Sequence, residues 1–323
     1  MAKKIGVIID FLNDKYERQL NAAAAKYGYE IEYFPSSAAA VGNVDECEIL
    51  YGHCSQKVIR SAKSLKWYCC CWAGVDHFCD ESLYQNPDCR LTNSSGAYGT
   101  TISEHLIMVC LMLLRRQMEY TEIIRAGGWE TLPGGIRSLH GARITVLGTG
   151  DIGTEFARRA QAFHPACITG VRRTVRSSDP AFTSIHAIAE LDSVLPETDL
   201  LVMALPSTAE TVGILSRERI ALLPDSAFVV NVGRGTAIDQ EALCDALNAG
   251  RLAGAALDVV VPEPLPADHP LRRAKNLLLT PHVAGNMTLG YTCDKSVQMF
   301  CDDLENYAAG RPLAHLVDQK RGY

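Results

Sequence analysis

A glycine loop that directly follows an apolar strand constrains the fold more than any other feature of this 323-residue sequence. Residues 143–147 have the composition of a buried strand, and a predicted helix over 154–163 follows the loop. The spacing G-x-G-x-x-G between a strand and a helix is typical of a dinucleotide-binding βαβ unit, with a plain strand–helix turn as the alternative. Glycines permit a tight turn, and the amides at the helix start can receive a pyrophosphate. The context favours dinucleotide binding, with contacts from Gly148, Gly150, Asp151, Ile152 and Gly153.

Short apolar runs alternate with helical stretches in two rounds. Strands are predicted at 5–9, 29–34, 47–52, 65–72 and 90–93, and then at 143–147, 167–171, 200–205, 227–232, 254–259 and 277–279. A long helix over 101–126 separates the rounds, with Thr101 or Ser103 as candidate caps and Gly127-Gly128 at its end, and a last helix covers 289–308. This rhythm indicates an α/β protein with parallel sheets, and the length favours two domains.

Composition excludes several classes of protein. The formal net charge is −6, which gives no general attraction for nucleic acid or an anionic membrane. The longest apolar run, residues 106–114, is too short to span a bilayer, and the N-terminus has no apolar signal segment. The 12 cysteines include no C-x-x-C pair, so we expect reduced thiols and no metal site. These features predict a cytoplasmic protein without membrane or nucleic-acid partners.

Four further segments complete a pattern that resembles the D-isomer-specific 2-hydroxyacid dehydrogenase family, in particular its glyoxylate/hydroxypyruvate reductase-like members. The likeness is densest over 139–286, and the segments are Val230-Asn231-Val232-Gly233-Arg234-Gly235, Ala256-Leu257-Asp258-Val259, Pro262-Glu263-Pro264-Leu265-Pro266 and Thr280-Pro281-His282-Val283-Ala284-Gly285. The resemblance implies two Rossmann-like domains. A flavodoxin-like substrate domain (1–100 and 286–323) holds an inserted, doubly wound dinucleotide-binding domain (101–285). The resemblance also implies hydride transfer between NADP(H) or NAD(H) and C2 of a small D-2-hydroxy acid or 2-oxo acid. The enzyme would work mainly as a 2-oxo acid reductase.

Three residues suit that chemistry. Oxidation of a hydroxyl group needs a base for its proton, and reduction needs the same group as an acid; His282 suits both because imidazole titrates near neutral pH. Glu263 is the natural orienting carboxylate, since an anion beside an imidazole favours its protonated form. Arg234 can bind the substrate carboxylate through two hydrogen bonds and polarise the carbonyl. A structural His and surface ion pairs are the alternatives, and the match of all three positions to the family argues against them.

The resemblance assigns the remaining contacts. Backbone amides of Gly74 and Val75 would receive the substrate carboxylate, with a plain strand-end turn as the alternative. Asp258 would contact the nicotinamide carboxamide unless it serves a structural hydrogen bond, and Thr101 would approach the nicotinamide unless it only caps a helix. The other expected cofactor contacts are Leu205, Pro206, Val232, Gly233, His282 and Gly285.

Two positions depart from the family pattern and leave the substrate open. The segment 93–99 lacks the Arg that many members carry, and Asn286 replaces a common hydroxyl residue. Possible pocket walls, each equally explained by packing or exposure, are Tyr51, His53, Trp72 and Tyr98.

The loop at 169–174 predicts the choice of cofactor. An NAD-selective site carries an acidic residue about 20 residues after the first glycine. Here Arg172 occupies that place, and Arg173 and Thr174 follow it. Two guanidinium groups and a hydroxyl could bind a 2′-phosphate, and Arg176 could add charge. We therefore expect NADP(H) to be preferred and NAD(H) to be possible. The alternative is a solvated basic loop that does not select between the two cofactors.

The long helix between the two rounds of strands also bears on the oligomeric state. The helix over 101–126 is apolar over much of its first half, more than one exposed face allows, so we expect a homodimer; burial between the domains is the other explanation.

A dinucleotide-sensing scaffold of the corepressor kind is the alternative function. The absence of long flanking tails argues against it.

Overall fold

The computed structural model describes residues 3–175 and 179–322. The chain forms two compact units: one holds the residues up to Tyr98 together with those from Asn286 onward, and the other is Gly99–Gly285. Both units are layered α/β structures with parallel sheets, which confirms the predicted fold class.

The first unit is built on a five-stranded parallel sheet of order β2-β1-β3-β4-β5. This is the flavodoxin-like order that the family resemblance implied, in which the order of strand addition reverses between β1 and β3. The strands are β1 (Lys3–Ile8), β2 (Tyr29–Tyr33), β3 (Cys47–Gly52), β4 (Trp67–Cys70) and β5 (Arg90–Thr92). The helices are α1 (Asp14–Lys26), α2 (Ser37–Ala40), α3 (Gln56–Ser61) and, from the end of the chain, α10 (Gly290–Ala308).

Aromatic side chains join α10 to the first sheet. Phe300 of α10 stacks on Tyr51 at 4.3 Å and on Trp67 at 5.4 Å between ring centroids. All three side chains are fully buried. The last helix therefore belongs to the first unit, although 187 residues of the second unit, Gly99–Gly285, precede it in sequence.

The second unit is built on a seven-stranded parallel sheet of order β12-β11-β10-β9-β6-β7-β8. From β6 the chain runs outward through β7 and β8, and it then returns to place β9 on the other side of β6. The strands are β6 (Arg143–Leu147), β7 (Cys167–Arg172), β8 (Ser184–Ala187), β9 (Leu200–Met203), β10 (Phe228–Asn231), β11 (Gly254–Leu257) and β12 (Leu277–Leu279). The reversal between β6 and β9 is a topological switch point, where such sheets bind ligands.

One strand was missed, and several predicted strands were too long. The edge strand β8 has no apolar run to reveal it, because its sequence is Ser-Ile-His-Ala and every side chain is only half-buried. The run predicted over 65–72 forms a strand only at Trp67–Cys70, since Cys71 and Trp72 already belong to the turn that follows. The apolar run therefore marks a buried stretch of chain that is longer than the part paired as a strand.

The predicted helix over 101–126 is wrong in two respects. It is two helices, α4 (Gly99–Leu114) and α5 (Gln117–Arg125), because Arg116 adopts a left-handed conformation with φ of 56°. The guanidinium of Arg116 binds Glu119 and the carbonyl of Pro133, which holds the break. Thr101 and Ser103 are not caps, since α4 begins earlier at Gly99 and both lie inside it.

The other helices of the second unit connect its strands. They are α6 (Asp151–Ala160), α7 (Leu191–Val194), α8 (Arg217–Leu222) and α9 (Gln240–Asn248). Among the helices of the described residues, none is long and apolar enough to cross a membrane. All 12 cysteines are described, and all are free thiols.

Candidate functional site

The glycine loop lies at the switch point, between β6 and α6. A Cβ on Gly148, which has φ of +98°, would lie 2.6 Å from the carbonyl oxygen of Ala204, and one on Gly153 would collide with the carbonyl of Gly148. Both positions therefore require glycine. Gly150 is the N-cap of α6, and a Cβ there would meet no protein atom within 4 Å. The loop therefore leaves open space beside the first amides of a ten-residue helix, which fits a pyrophosphate.

Asp151 and Ile152 occupy the first two positions of α6. The carboxylate of Asp151 lies against Gly99, where a Cβ would approach its Oδ1 to 2.5 Å. Gly99 therefore lets the start of α4 approach the start of α6. An acidic residue in the first turn is also favourable to the helix dipole.

The loops after β9 and β10 meet beside the glycine loop. A Cβ on Gly233 would lie 2.5 Å from the carbonyl oxygen of Leu205, so these two predicted cofactor residues are in backbone contact. The hydroxyl of Thr211 donates to the carbonyl of Pro206 at 2.6 Å and fixes the loop. Val232 is buried, and Thr101 lies in the first turn of α4.

The basic residues follow the end of β7. Arg172 is the last residue of that strand and is half-buried, whereas Arg173 and Thr174 are exposed. A hydrogen bond with Thr208 chiefly lowers the pKa of the Glu210 carboxyl, and the positive charge of Arg173 also lowers it. Arg176, the further cation of the sequence prediction, lies outside the described residues.

His282 and Glu263 are brought together. Nδ1 of His282 lies 2.8 Å from Oε2 of Glu263, and the other carboxylate oxygen accepts a 2.9 Å hydrogen bond from the amide of Val260. Because Nδ1 faces the carboxylate, Nε2 points away from it on the opposite side of the ring. The His282 side chain is 52% exposed, so the imidazole can be reached from solution.

The backbone at His282 is held in an unusual conformation. Its φ is 55°, a left-handed value that costs a non-glycine residue of order 1 kcal/mol. Its amide donates to the carbonyls of Asp258, at 2.9 Å, and Thr280, at 3.0 Å. The buried carboxylate of Asp258 accepts the Thr280 hydroxyl at 2.6 Å and the amides of Val283 and Ala284 at 2.9 and 3.0 Å. Asp258 therefore makes the structural hydrogen bonds considered as the alternative to its cofactor contact.

Arg234 is also held by its neighbours in the chain. The side chain of Asn231, which is 1% exposed, donates to the carbonyl of Arg234 and accepts the amide of Gly233, each at 2.9 Å. A Cβ on Gly235 would lie 2.5 Å from the carbonyl oxygen of Val260. The loop of Arg234 is therefore packed, backbone to backbone, against the loop of Glu263.

The candidate substrate loop lies in the first unit, at the carboxyl end of β4. Asn93 donates from its side chain to the carbonyl of Ala73 at 2.6 Å, which fixes the turn. Within the described residues, the amides of Gly74 and Val75 have no hydrogen-bond partner. Two backbone amides that lack an acceptor in a fixed turn can form an anion-binding nest.

The candidate pocket walls differ in their surroundings. Tyr51 and Tyr98 are packing residues: both are buried, and their hydroxyls are paired with Ser296 and with the carbonyl of Cys71. Trp72 is half-buried and His53 is exposed, and their rings meet edge to face at 5.5 Å. Only His53 and Trp72 of the four stay available to line a site.

Several supporting residues were not predicted. Asn231 lies in the family-like segment 230–235, and Gln240 and Thr280 act through partners distant in sequence. His105, four residues after Thr101 on the same face of α4, lies 3.5 Å from the Thr280 hydroxyl. Burial lowers the pKa of His105. The helical spacing from Thr101 was the one sequence signal that could have found it.

Comparison with known proteins gives one consistent match. The family model described as "D-isomer specific 2-hydroxyacid dehydrogenase, NAD binding domain" matches residues 107–284. Glyoxylate/hydroxypyruvate reductase B of Pectobacterium carotovorum subsp. carotovorum (strain PC1) is 36% identical over 190 residues, which are 57% of this chain and 58% of that protein. The match thus spans less than two thirds of that relative's length.

Two solved structures agree over nearly the whole chain. A D-isomer specific 2-hydroxyacid dehydrogenase family protein from Aeromonas salmonicida subsp. salmonicida A449 gives a TM-score of 0.87 at 30% identity, over 99% of this chain and 100% of that one. An NADPH-dependent glyoxylate/hydroxypyruvate reductase from Sinorhizobium meliloti, in complex with NADP and sulfate, gives 0.84 at 26% identity, over 99% and 100%. Together with the glycine loop and the arrangement of Arg234, Glu263 and His282, these matches establish that the chain belongs to the D-isomer specific 2-hydroxyacid dehydrogenase family.

Proposed function

We propose that this protein is an NADP(H)-preferring reductase of small 2-oxo acids, which can also run in reverse as a D-2-hydroxyacid dehydrogenase. The observation that carries the proposal is the contact of 2.8 Å between His282 Nδ1 and Glu263 Oε2. It lies in the same unit as the glycine loop. Two of the three relatives named above are glyoxylate/hydroxypyruvate reductases, and none of the three supports the scaffold alternative.

Three side chains have separate roles in the proposed reaction. The reduced nicotinamide, when bound, supplies the hydride that reaches C2. His282 donates a proton from Nε2 to the carbonyl oxygen and takes it back in the reverse direction. Glu263 fixes the imidazole so that Nε2 faces outward, and its charge stabilises the protonated ring. Arg234 binds the substrate carboxylate and polarises the carbonyl, so negative charge on oxygen is stabilised as it develops.

The two units take different parts of this task. In the proposed substrate domain, residues 1–100 and 286–323, the unpaired amides of Gly74 and Val75 would also receive the substrate carboxylate. We assign the cofactor to residues 101–285, where Thr101, Leu205, Pro206, Val232, Gly233, Asp258 and Gly285 would surround it. Twelve free thiols suit a reducing compartment, and we propose the cytoplasm.

The cofactor preference rests on the residues after β7. Arg172 and Arg173 offer positive charge and Thr174 a hydroxyl, where an NAD-selective site would carry a carboxylate. The Sinorhizobium meliloti relative is NADPH-dependent, which agrees with this preference.

A panel of 2-oxo acids tests the proposal. Glyoxylate, hydroxypyruvate, pyruvate and a branched 2-oxo acid would each be offered with NADPH and with NADH at one pH, and nicotinamide oxidation followed. We expect turnover with at least one acid and a higher kcat/KM with NADPH. Binding of NADPH without turnover of any acid would contradict the proposed function.

We also propose that the protein is a homodimer. Every residue over 115–138, all of them described, is at least partly exposed. This arm includes the nine residues of α5 and the 92% exposed Trp129. A helix of this length is marginal in water unless something covers it. On α4, Met108 is 46% exposed, so the helix and the arm leave apolar surface that a two-fold copy would cover on both chains.

Sedimentation tests the dimer. We expect the mass of a dimer, and we expect Trp129→Ala to shift the equilibrium toward monomer. Val212→Ala is the matched control, because Val212 is also exposed, at 57%, but is not one of the arm residues 115–138. A monomer mass that does not depend on concentration would contradict the proposal.

A further inference from the structure

The side chain of Gln240 pairs with both backbone groups of one residue. Its Nε2 donates to the carbonyl of Val261 at 2.6 Å, and its Oε1 accepts the amide of Val261 at 2.9 Å. A single carboxamide therefore replaces the two hydrogen bonds that a neighbouring strand would provide. Both bonds are short enough to be well formed.

Val261 lies in the loop that carries Glu263. The residue before it, Val260, donates its amide to Oε1 of Glu263 at 2.9 Å. The other oxygen of that carboxylate faces His282. A shift of Val261 would therefore move the donor that holds Glu263 in place.

Gln240 is itself attached to a rigid element. It is the first residue of α9, next to the N-cap Asp239, whose side chain accepts the amide of Ala242 at 2.9 Å. The helix buries Leu243 and Leu247 in the core of the second unit. The carboxamide thus connects a fixed helix to an exposed loop.

We propose that Gln240 is a positioning residue, which holds the Val260–Glu263 loop so that Glu263 meets His282. This inference rests on the proposed function. The chemistry is selective for glutamine, because the site needs one donor and one acceptor at the same time. Glutamate has no donor when ionised, leucine has neither group, and asparagine is one methylene shorter.

The test compares Gln240→Leu and Gln240→Glu with Gln161→Leu. Gln161 is the matched control, since it also donates to a backbone carbonyl, that of Pro180 at 2.8 Å, in the same unit. With a 2-oxo acid and NADPH, we expect Gln240→Leu to lower kcat about 10- to 100-fold, as misplacement of a catalytic group does, and to leave the KM for NADPH unchanged. Gln240→Glu, which keeps one of the two bonds, should lie between Gln240→Leu and the unaltered protein.

Hydrogen exchange supplies a readout that needs no turnover. The amide of Val260 does not touch Gln240, so its exchange reports on the bond to Glu263. We expect exchange at Val260 to become about 2- to 10-fold faster in Gln240→Leu, as the loss of one net hydrogen bond implies, and to stay unchanged in Gln161→Leu.

The outcomes separate the two proposals. Absence of turnover in the unaltered protein would contradict the proposed function, whereas exchange at Val260 would still decide the role of Gln240. Unchanged Val260 exchange, or an equal loss of kcat in Gln161→Leu, would overturn the positioning role even if the unaltered enzyme is active.

Discussion

Glu263 lies 2.8 Å from His282 and is itself held by the amide of Val260, so its two carboxylate oxygens have different tasks. One oxygen orients the imidazole, and the other fixes the carboxylate in its loop. The same loop packs against Gly235, next to Arg234. The proposed acid and the proposed carboxylate-binding cation are therefore supported by one continuous piece of backbone.

Glu263→Gln should remove the charge and one of the two acceptors of this side chain. Glutamine has nearly the same shape, but its single oxygen can accept from either Nδ1 of His282 or the amide of Val260, and it carries no charge to stabilise a protonated imidazole. We expect kcat to fall about 10-fold or more, yet by less than the ~10²–10⁴-fold that loss of the general acid itself costs. Steady-state rates with saturating NADPH measure this, and an unchanged kcat would mean that the carboxylate charge plays no part.

Gly235→Ala should disturb two loops at once. The added methyl group would enter the space held by the carbonyl of Val260, so the loops of Arg234 and Glu263 must move apart. We expect a loss of about 1–3 kcal/mol in the free energy of unfolding, together with a lower kcat. Gly290→Ala is the control, since a Cβ there meets no atom within 4 Å. Equal urea midpoints for the two variants would show that the close approach at Gly235 is unimportant.

Replacing Arg172 and Arg173 together by Ala should affect one cofactor. Each guanidinium is expected to make a charge-assisted bond to the 2′-phosphate, so the KM for NADPH should rise about 10- to 100-fold and the KM for NADH should change little. Added salt should also raise the KM for NADPH in the unaltered enzyme. If that enzyme has a higher kcat/KM with NADH, the basic residues do not select the cofactor.

Asp303 makes the stability of the first unit depend on pH. Burial opposes ionisation of this carboxyl, but hydrogen bonds from His315 and from the amide of Ala314 outweigh it and lower its pKa. A lowered folded-state pKa means that the stabilisation is complete above the ordinary value of 3.8 and is lost as the pH falls through the folded value. We expect unfolding free energies to decline below about pH 4, and Asp303→Asn to flatten that decline. At neutral pH the same variant should be about 1–3 kcal/mol less stable, because asparagine offers one acceptor oxygen where aspartate has two.

The sequence predicted the elements that have a local signature. The glycine loop was found because its three glycines lie within six residues, between a strand and a helix, and both sheets are parallel as predicted. The break in the helix at Arg116 was missed, because arginine gives no sign of a left-handed conformation. Gln240 was missed for another reason: its partner, Val261, lies 21 positions away and becomes a neighbour only through folding.

His282→Ala tests most directly whether His282 is the proton donor in reduction of a 2-oxo acid. The measurement is kcat/KM for the best acid of the panel with NADPH, beside the dissociation constant of NADPH for the same folded variant. We expect a loss of about 10²–10⁴-fold in kcat/KM, with NADPH binding retained. Turnover near that of the unaltered enzyme, in a variant with an unchanged unfolding midpoint, would contradict it.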